Sequence, residues 1–434
     1  MSNFPPDHAQ RYLLAEEVHA RPPEAIRSPA RSSYVAVLVE PEQREAELRH
    51  LARLCQQRGV SPPADNASHF RAEIGPLRLK WERHGEFSGY TFSVAGADAA
   101  LFETAAASLL PAGWLAAAPG HTIAAVQAEL RPAPASATDS PPDAAALAKI
   151  FGSHTVVGAR VAEGAAEVYT DFMVQPDGCT HVLVFDRGLG ERQAGRMLQR
   201  LFEIEAYRML ALLALPIARR QSPRIATIEG ALATLTDGIA RDEGDDEALL
   251  QELTRLAAEV ESGIAASQFR FGACEAYHGL VTRRIAELRE ARLSGLQTIE
   301  EFMGRRLAPA VATCATVSQR LRGLAERVAQ ASALISTRVD IARAHQNQRL
   351  LASMDLRAKQ QLRLQQTVEG LSVAAIVYYA AGLVGYAAKA ARSAGLRVDT
   401  DLAVGVSIPL VAVLVLWAVR RARRHVASDT VALD

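Results

Sequence analysis

Residues 371–388 read LSVAAIVYYAAGLVGYAA, and residues 402–419 read LAVGVSIPLVAVLVLWAV. Each run has 18 residues without an Asp, Glu, Lys, Arg or His, close to the ~20 that cross a ~30 Å hydrocarbon layer as a helix. Backbone groups in lipid must be paired internally, so two such runs in tandem predict a helical hairpin. The competing reading is a pair of buried helices in a soluble core. Flanking charge argues for the membrane: Lys389, Arg392 and Arg397 lie between the runs, and Arg420, Arg421, Arg423 and Arg424 close the second. Tyr386 and Trp417 sit near the run ends, where amphipathic rings prefer the interface.

Orientation follows from basic residues. Arg357, Lys359 and Arg363 precede the first run and four arginines follow the second, seven on the shared side against three between the runs. The positive-inside rule then places the N-terminal region and the tail in the cytoplasm, with residues 389–401 outside. Residues 1–21 have no apolar core of a secretory signal, which agrees with that orientation. The expected location is the bacterial inner membrane.

The chain has 434 residues, 49% of them hydrophobic, enough for a sizeable core in two or three units. Net charge is zero, so no global basic field points to nucleic acid. Cys55, Cys179, Cys274 and Cys314 are far apart with no CxxC pair, which fits reduced, mostly buried thiols better than disulfides or a zinc site.

Ahead of the apolar runs the pattern first alternates between strands and helices. Residues 33–39 are β-branched and apolar, and 42–59 have helical spacing. Residues 69–83 and 86–94 read as a hairpin joined at His84-Gly85, 97–110 as a helix and 121–130 as a strand. That β-α-β-β-α-β order matches a split βαβ, ferredoxin-like unit. RPAPASATDSPPDAA, residues 131–145, reads as a linker or surface loop. Strands resume at 155–162, 167–174 and 180–186, the last two joined by the turn Gln175-Pro176-Asp177-Gly178. They either extend the first sheet or build a second.

From Gly190 onward the expectation is helical. Residues 191–215 form an apolar helix ended by Pro216, and 223–240 another. A long helix opens at Asp245-Asp246-Glu247, whose carboxylates suit the macrodipole; it runs toward Arg306 and is broken or kinked at Pro309. Leu321, Leu324, Val328, Ala331, Ile335, Val339 and Ala342 then follow 3-4 spacing, the seam of a helix paired within the chain or with a partner. Unbroken from 310 to 388, that helix would be about 120 Å long and would couple the cytoplasmic region mechanically to the membrane. The resulting divisions are an N-terminal α/β unit (1–130), a linker (131–147), a β-rich continuation (148–189), a helical region (190–308), a long helix (309–370), the first run (371–388), an outer loop (389–401), the second run (402–419) and a basic tail (420–434). The fold class is α+β with a C-terminal two-helix hairpin.

Little in the soluble part points to chemistry. Arg78, Lys80, Glu82, His84 and Glu86 alternate with Leu77, Leu79 and Trp81, so on one strand the five polar groups share a face. A metal or acid–base face is one reading; a solvated face of mixed charge is the plainer one. His19 and Arg21 in the N-terminal arm suit docking of that arm by hydrogen bonds, with an anion or catalytic role as the sharper alternative. Asp171 and Asp186 fall at strand ends, where carboxylates bind metals or simply cap turns. No P-loop, dinucleotide fingerprint, nucleophile elbow or zinc-protease motif occurs, and neither a catalytic residue nor a cofactor is expected. In the first apolar run, Ser372, Tyr379 and Tyr386 recur every seven residues with Gly382 and Gly385 nearby. That face either packs on a neighbouring helix, with Ala381 and Gly385 as a small-xxx-small pair, or lines a pore.

LAEEVHARPPE (14–24), LKWERH (79–84), EIEAYRMLALLALP (203–216), RFGACEAY (270–277), EFMGRRLAP (301–309) and TVEGLSVAAIVYYAAGLVGY (367–386) together resemble a bacterial family of membrane-anchored proteins classed as a domain of unknown function. That resemblance covers nearly the whole chain and implies no activity. The architecture is more distantly similar to CorA-type magnesium transporters, in which a long helix leads from a cytoplasmic α/β domain into the first membrane helix. There a Gly-Met-Asn signature ends the first span; here Gly385 matches, while Tyr386 and Ala387 replace Met and Asn. The likeness implies divalent-cation transport, and the departure removes the side chain that would hold a hydrated cation.

The expected protein is therefore a non-enzymatic membrane component, homo-oligomeric through its long helices. Its partners are the lipid bilayer and, on the CorA-type likeness, a divalent cation. The alternative is a membrane-tethered scaffold or regulator that binds a protein or anionic lipid, with Arg420, Arg421, Arg423 and Arg424 at the headgroups.

Overall fold

The computed structural model describes residues 5, 7–12, 14–15, 23–98, 100–134, 142, 144–241, 245–395 and 399–430. The chain divides into two compact units, Met1–Ala333 and Leu334–Asp434.

In the first unit, nine strands among the described residues form one sheet. In chain order these are β1 (Ala30–Leu38), β2 (His69–Ile74), β3 (Leu77–Arg83), β4 (Phe87–Ala95), β5 (His121–Pro132), β6 (Val157–Val161), β7 (Ala166–Val174), β8 (Thr180–Asp186) and β9 (Ala291–Arg292). Their order across the sheet is β2-β3-β4-β1-β5-β8-β7-β6-β9. The later strands thus extend the first sheet, and the parallel pairing of β5 with β8 joins the two halves. Neighbours are otherwise antiparallel.

Both faces are covered. Helix α1 (Arg44–Gln57) packs Leu51 and Leu54 on Val37, Leu79, Trp81, Tyr90 and Phe92. Helix α2 (Ala144–Phe151) contributes Leu147 and Phe151 beside Tyr169 and Leu183. On the opposite face lies α3 (Glu191–Leu212), where Phe202 stacks on Tyr34 at 5.2 Å. A buried carboxylate ties α1 to the sheet: Trp81 Nε1 and the Tyr90 hydroxyl donate to Glu47 Oε1 at 3.0 and 2.7 Å, and Arg83 lies 3.7 Å from Glu47.

Several local expectations are corrected. The segment 69–83 is two strands, paired from Ile74 and Leu77 outward across a turn in which Gly75 has φ +59. The helix expected over 97–110 does not form; turns and a short 3-10 segment, Ala106–Leu109, take its place. Ala106, Leu110 and Trp114 are drawn into the core with Tyr90 and Phe92, and such burial outweighs a propensity worth under ~1 kcal/mol per residue. Up to Pro132 the order is therefore β-α-β-β-β-β. The segment 131–147 is not a uniform linker, because β5 reaches Pro132 and α2 begins at Ala144.

The helices also divide differently. Pro216 opens α4 (Leu215–Ala240) rather than ending α3; proline at a first turn forfeits no helical hydrogen bond. Pro223 lies inside α4. Helix α5 (Asp246–Leu288), capped by the Asp245 carboxylate, stops where Arg289 turns left-handed at φ +51. Strand β9 and α6 (Ile299–Arg306) follow, α6 opening on a Thr298/Glu301 capping box. Pro309 falls in the first turn of α7 (Ala308–Ser393), which is a single helix. Within the first unit, Leu321, Leu324, Val328 and Ala331 of α7 are buried. Gly263 of α5 passes so close to Leu321 that an added Cβ would meet it at 3.2 Å. Arg320 pairs with Glu229 of α4 at 2.6 Å. This part of the seam is satisfied within the chain.

The second unit holds the rest of α7 and α8 (Thr400–Thr430). The segment between the two helices is shorter than 389–401, because α7 continues to Ser393 and Asp399 Oδ1 accepts from the Asp401 amide at the start of α8. Two helices here are long and apolar enough to cross a membrane, and the apolar window of α8 buries none of its residues within the chain.

Candidate functional site

The charged face of β3 is not solvated. Lys80 is 5% exposed and pairs with Glu82 at 2.8 Å, under α3, whose Gln199 lies 3.4 Å from Lys80. Arg78 donates to the Ala25 carbonyl at 2.7 Å, Glu86 pairs with Arg270 of α5, and His84 stacks on Phe87. Burial pushes the Glu24 carboxyl upward against the pull of Arg71, Lys80 and Arg78. These groups hold the N-terminal arm and helices on the sheet, and no His/Cys/Asp/Glu group fit to hold a metal occurs among the described residues. His19 and Arg21 lie outside the described residues. Asp186 accepts from the amides of Gly188 and Leu189, capping the turn into α3.

Asp171 has a more pointed environment. Strand β7 loses register with β8 between Thr170 and Val174, and Phe172 takes φ +53, a conformation costly for an aromatic residue. This bulge re-aims Asp171, 3% exposed, so that its carboxylate accepts from three donors. Oδ2 takes His154 Nδ1 at 2.8 Å and Gln175 Nε2 at 2.7 Å, while Oδ1 takes the Met173 amide at 3.0 Å. With Nδ1 donating, neutral His154 presents Nε2 as an acceptor.

His154 and Asp171 border a cavity of about 320 Å³. Its body is apolar: Phe172 stacked on Phe302 at 5.3 Å, with Leu212, Met303 and Leu307. Arg208 is committed elsewhere, bonding Glu205 through Nε at 3.0 Å and through Nη2, and reaching the Phe172 carbonyl at 3.4 Å. Arg306, at the last position of α6, lines the same cavity. Sequence reading flagged Asp171 with Asp186 as strand-end carboxylates and passed over His154 and Arg306. The bulge is built without glycine, and α6 arrives from 130 residues further on, so no local signal marks the site.

All four cysteines are free, three of them buried. Burial and Asp177 push the Cys179 thiol up to about 11, which leaves it protonated and unreactive at neutral pH.

In the second unit Tyr379, Gly382 and Tyr386 line a groove shared with Thr400, Asp401, Val404 and Gly405 of α8, without close packing at Gly382. Tyr379 and Tyr386 are 72% and 74% exposed, an added Cβ on Gly382 would meet nothing within 4 Å, and the Ser372 hydroxyl donates to the Val368 carbonyl. The buried positions are Ala381 and Ala388, with Gly385 between them, where an added Cβ would meet Val404 of α8 at 3.1 Å. At the far end Arg421 lies over the Trp417 ring at 5.4 Å, an aromatic–cation pair that suits an interface. Arg420 lies beside it in α8; the side chains of Arg423 and Arg424 fall outside the described residues.

These features define an α+β protein with one large mixed sheet, long helices and a pair of apolar C-terminal helices. A family model described as a protein of unknown function (DUF3422) matches residues 6–426, and the chain belongs to that family. No curated protein and no solved structure matches it.

Proposed function

We propose that the chain is a membrane-tethered scaffold or regulator of the bacterial inner membrane, its two apolar runs crossing the bilayer as a hairpin and its first unit and tail in the cytoplasm. The observation that carries this is the exposed apolar surface of α8, whose Leu402, Leu410, Val413, Leu414 and Trp417 are each more than half exposed. A face of that size in water is costly at roughly 25 cal/mol per Å², and lipid removes the cost. The arginines at 420, 421, 423 and 424 supply attraction to anionic headgroups of about 1 kcal/mol each. Alkaline carbonate extraction should leave the full chain in the membrane pellet; release into the supernatant overturns the reading. Alkaline phosphatase fused after Gly395 should be active and the same enzyme fused after Asp434 inactive.

Self-association through the long helix belongs to the same reading. Ile341, Leu350, Leu351, Met354, Leu362 and Val368 stand exposed along α7, and native mass measurement in nanodiscs should find more than one copy. Divalent-cation passage, the activity implied by CorA-type likeness, would need Ser372, Tyr379 and Tyr386 on the axis of such an assembly. The scaffold reading is preferred because neither apolar run carries an Asp, Glu, Lys, Arg or His, whereas transport paths usually do. Unchanged uptake when the chain is supplied to a transport-deficient cell excludes the cation reading, and leaves the scaffold standing.

A further inference from the structure

The cavity between the β7 bulge and α6 has a composition that restricts what fits it. Its volume of about 320 Å³ equals on the order of ten water molecules. A wet cavity needs polar partners for its waters, yet most of this wall is the side chains of Phe172, Phe302, Met303 and Leu212. Small-molecule sites have this composition, an apolar body with few oriented polar groups.

The polar groups are few, and most are committed. Arg208 is neutralised by Glu205, and Asp171 already accepts three hydrogen bonds. What remains is Nε2 of His154, whose ring is fixed by Asp171 through Nδ1, the hydroxyl of Thr155, and the guanidinium of Arg306, for which no hydrogen bond or ion pair is seen among the described residues. One acceptor nitrogen and one unpaired cation match a single carboxylic acid. One carboxyl oxygen lies against Nε2 and shares a proton with it, and the other accepts from Arg306. A phosphate dianion would need more donors than Arg306 and the Thr155 hydroxyl provide, and an uncharged ligand would gain no charge-assisted contact from Arg306. The left-handed Phe172 adds a second, independent sign. Backbone strain at a bulky residue is retained where the local shape is used, and here it seats the ring that stacks on Phe302 and turns Asp171 toward His154.

We propose that this cavity is a binding site for a small monocarboxylate with an aliphatic or aromatic body, its carboxylate between His154 and Arg306 and its body among Phe172, Phe302 and Met303. The site lies wholly within the first unit, and it stands whether or not the chain is a scaffold.

The test is isothermal calorimetry on the full chain in lipid nanodiscs, with octanoate and octanol as probes and empty nanodiscs subtracted to remove partition into lipid. Octanoate should bind saturably, and octanol about tenfold more weakly or worse, since a charge-assisted contact is lost. Arg306→Gln and His154→Gln, both on partly exposed side chains, should each weaken octanoate by about tenfold while leaving the melting temperature in place. Met303→Trp, which fills the cavity, should abolish binding. Equal affinity for octanoate and octanol, no saturable heat above empty nanodiscs, or octanoate binding unchanged in Arg306→Gln and His154→Gln each overturns the proposal.

Discussion

The carbonyl oxygen of Glu24 lies against Gly195 so closely that a Cβ on residue 195 would stand 1.7 Å from it. The N-terminal arm therefore rests directly on the backbone of α3. The Ile26 amide donates to the Glu191 carbonyl at 2.9 Å, and Arg78 from the sheet holds the Ala25 carbonyl.

Gly195→Ala should consequently destabilise the first unit although alanine is the better helix former. Its helical gain is under ~1 kcal/mol, whereas forcing a methyl into backbone costs about 1–3 kcal/mol or more. A lower denaturation midpoint, with faster proteolysis around residues 23–26, is the expected result. Gly230→Ala, where an added Cβ meets nothing within 4 Å, should be neutral or slightly stabilising. Equal midpoints for the two variants would show that the arm does not rest on α3.

Glu47 provides a sharper stability test. Its fully buried carboxylate is the shared acceptor for Trp81 and Tyr90, and Arg83 supplies the countercharge. Glu47→Ala strands two buried donors and a cation. Removing one member of such a buried group costs about 3–5 kcal/mol, which chemical denaturation should detect as a large midpoint shift. Glu45→Ala, an exposed residue paired only with Arg49 on the same helix, should change the midpoint by well under ~1 kcal/mol.

His50 makes stability depend on pH in a defined direction. Its ring is buried against Trp114 at 4.5 Å, with Nε2–H donating to the Trp114 carbonyl, and burial holds the imidazole below its ordinary value near 6.5. The unfolded chain then binds the proton more readily than the folded one. The contribution is complete above about pH 6.5 and is lost as pH falls from there toward the folded value. His50→Phe should remove this term, so the melting-temperature gap between wild type and variant should narrow or reverse from pH 7.5 to pH 5. A gap constant over that range would mean that the ring is solvated.

Much of this was legible from the sequence, and the exceptions have physical causes. The strands at 33–39 and 180–186 show in their β-branched runs, and the two apolar helices show by length alone. Residues 97–110 look helical because Ala and Leu are good helix formers, but Ala106 and Leu110 serve the sheet core instead. The alternation at Arg78, Lys80 and Glu82 gives the shared face correctly and says nothing of α3 lying over it. His154, Asp171 and Arg306 are joined only by a bulge and a short helix from distant chain, a juxtaposition that no spacing rule records.

The two glycines in the first apolar run separate the readings of the hairpin. Gly385 is where α7 meets α8: an added Cβ would touch Val404 Cγ2 at 3.1 Å, while one on Gly382 would touch nothing. If the hairpin contact is the only close packing, Gly385→Val should lower the melting temperature in nanodiscs and Gly382→Val should leave it unchanged, since a β-branched side chain at a glycine crossing pushes the helices apart. Native mass measurement on both variants completes the test. Loss of higher-order species in Gly382→Val, with the hairpin intact, would assign the Ser372–Tyr379–Tyr386 face to contact between copies. Retention of every species in Gly382→Val, and loss of thermal stability only in Gly385→Val, would assign that face to lipid and remove the basis for a pore.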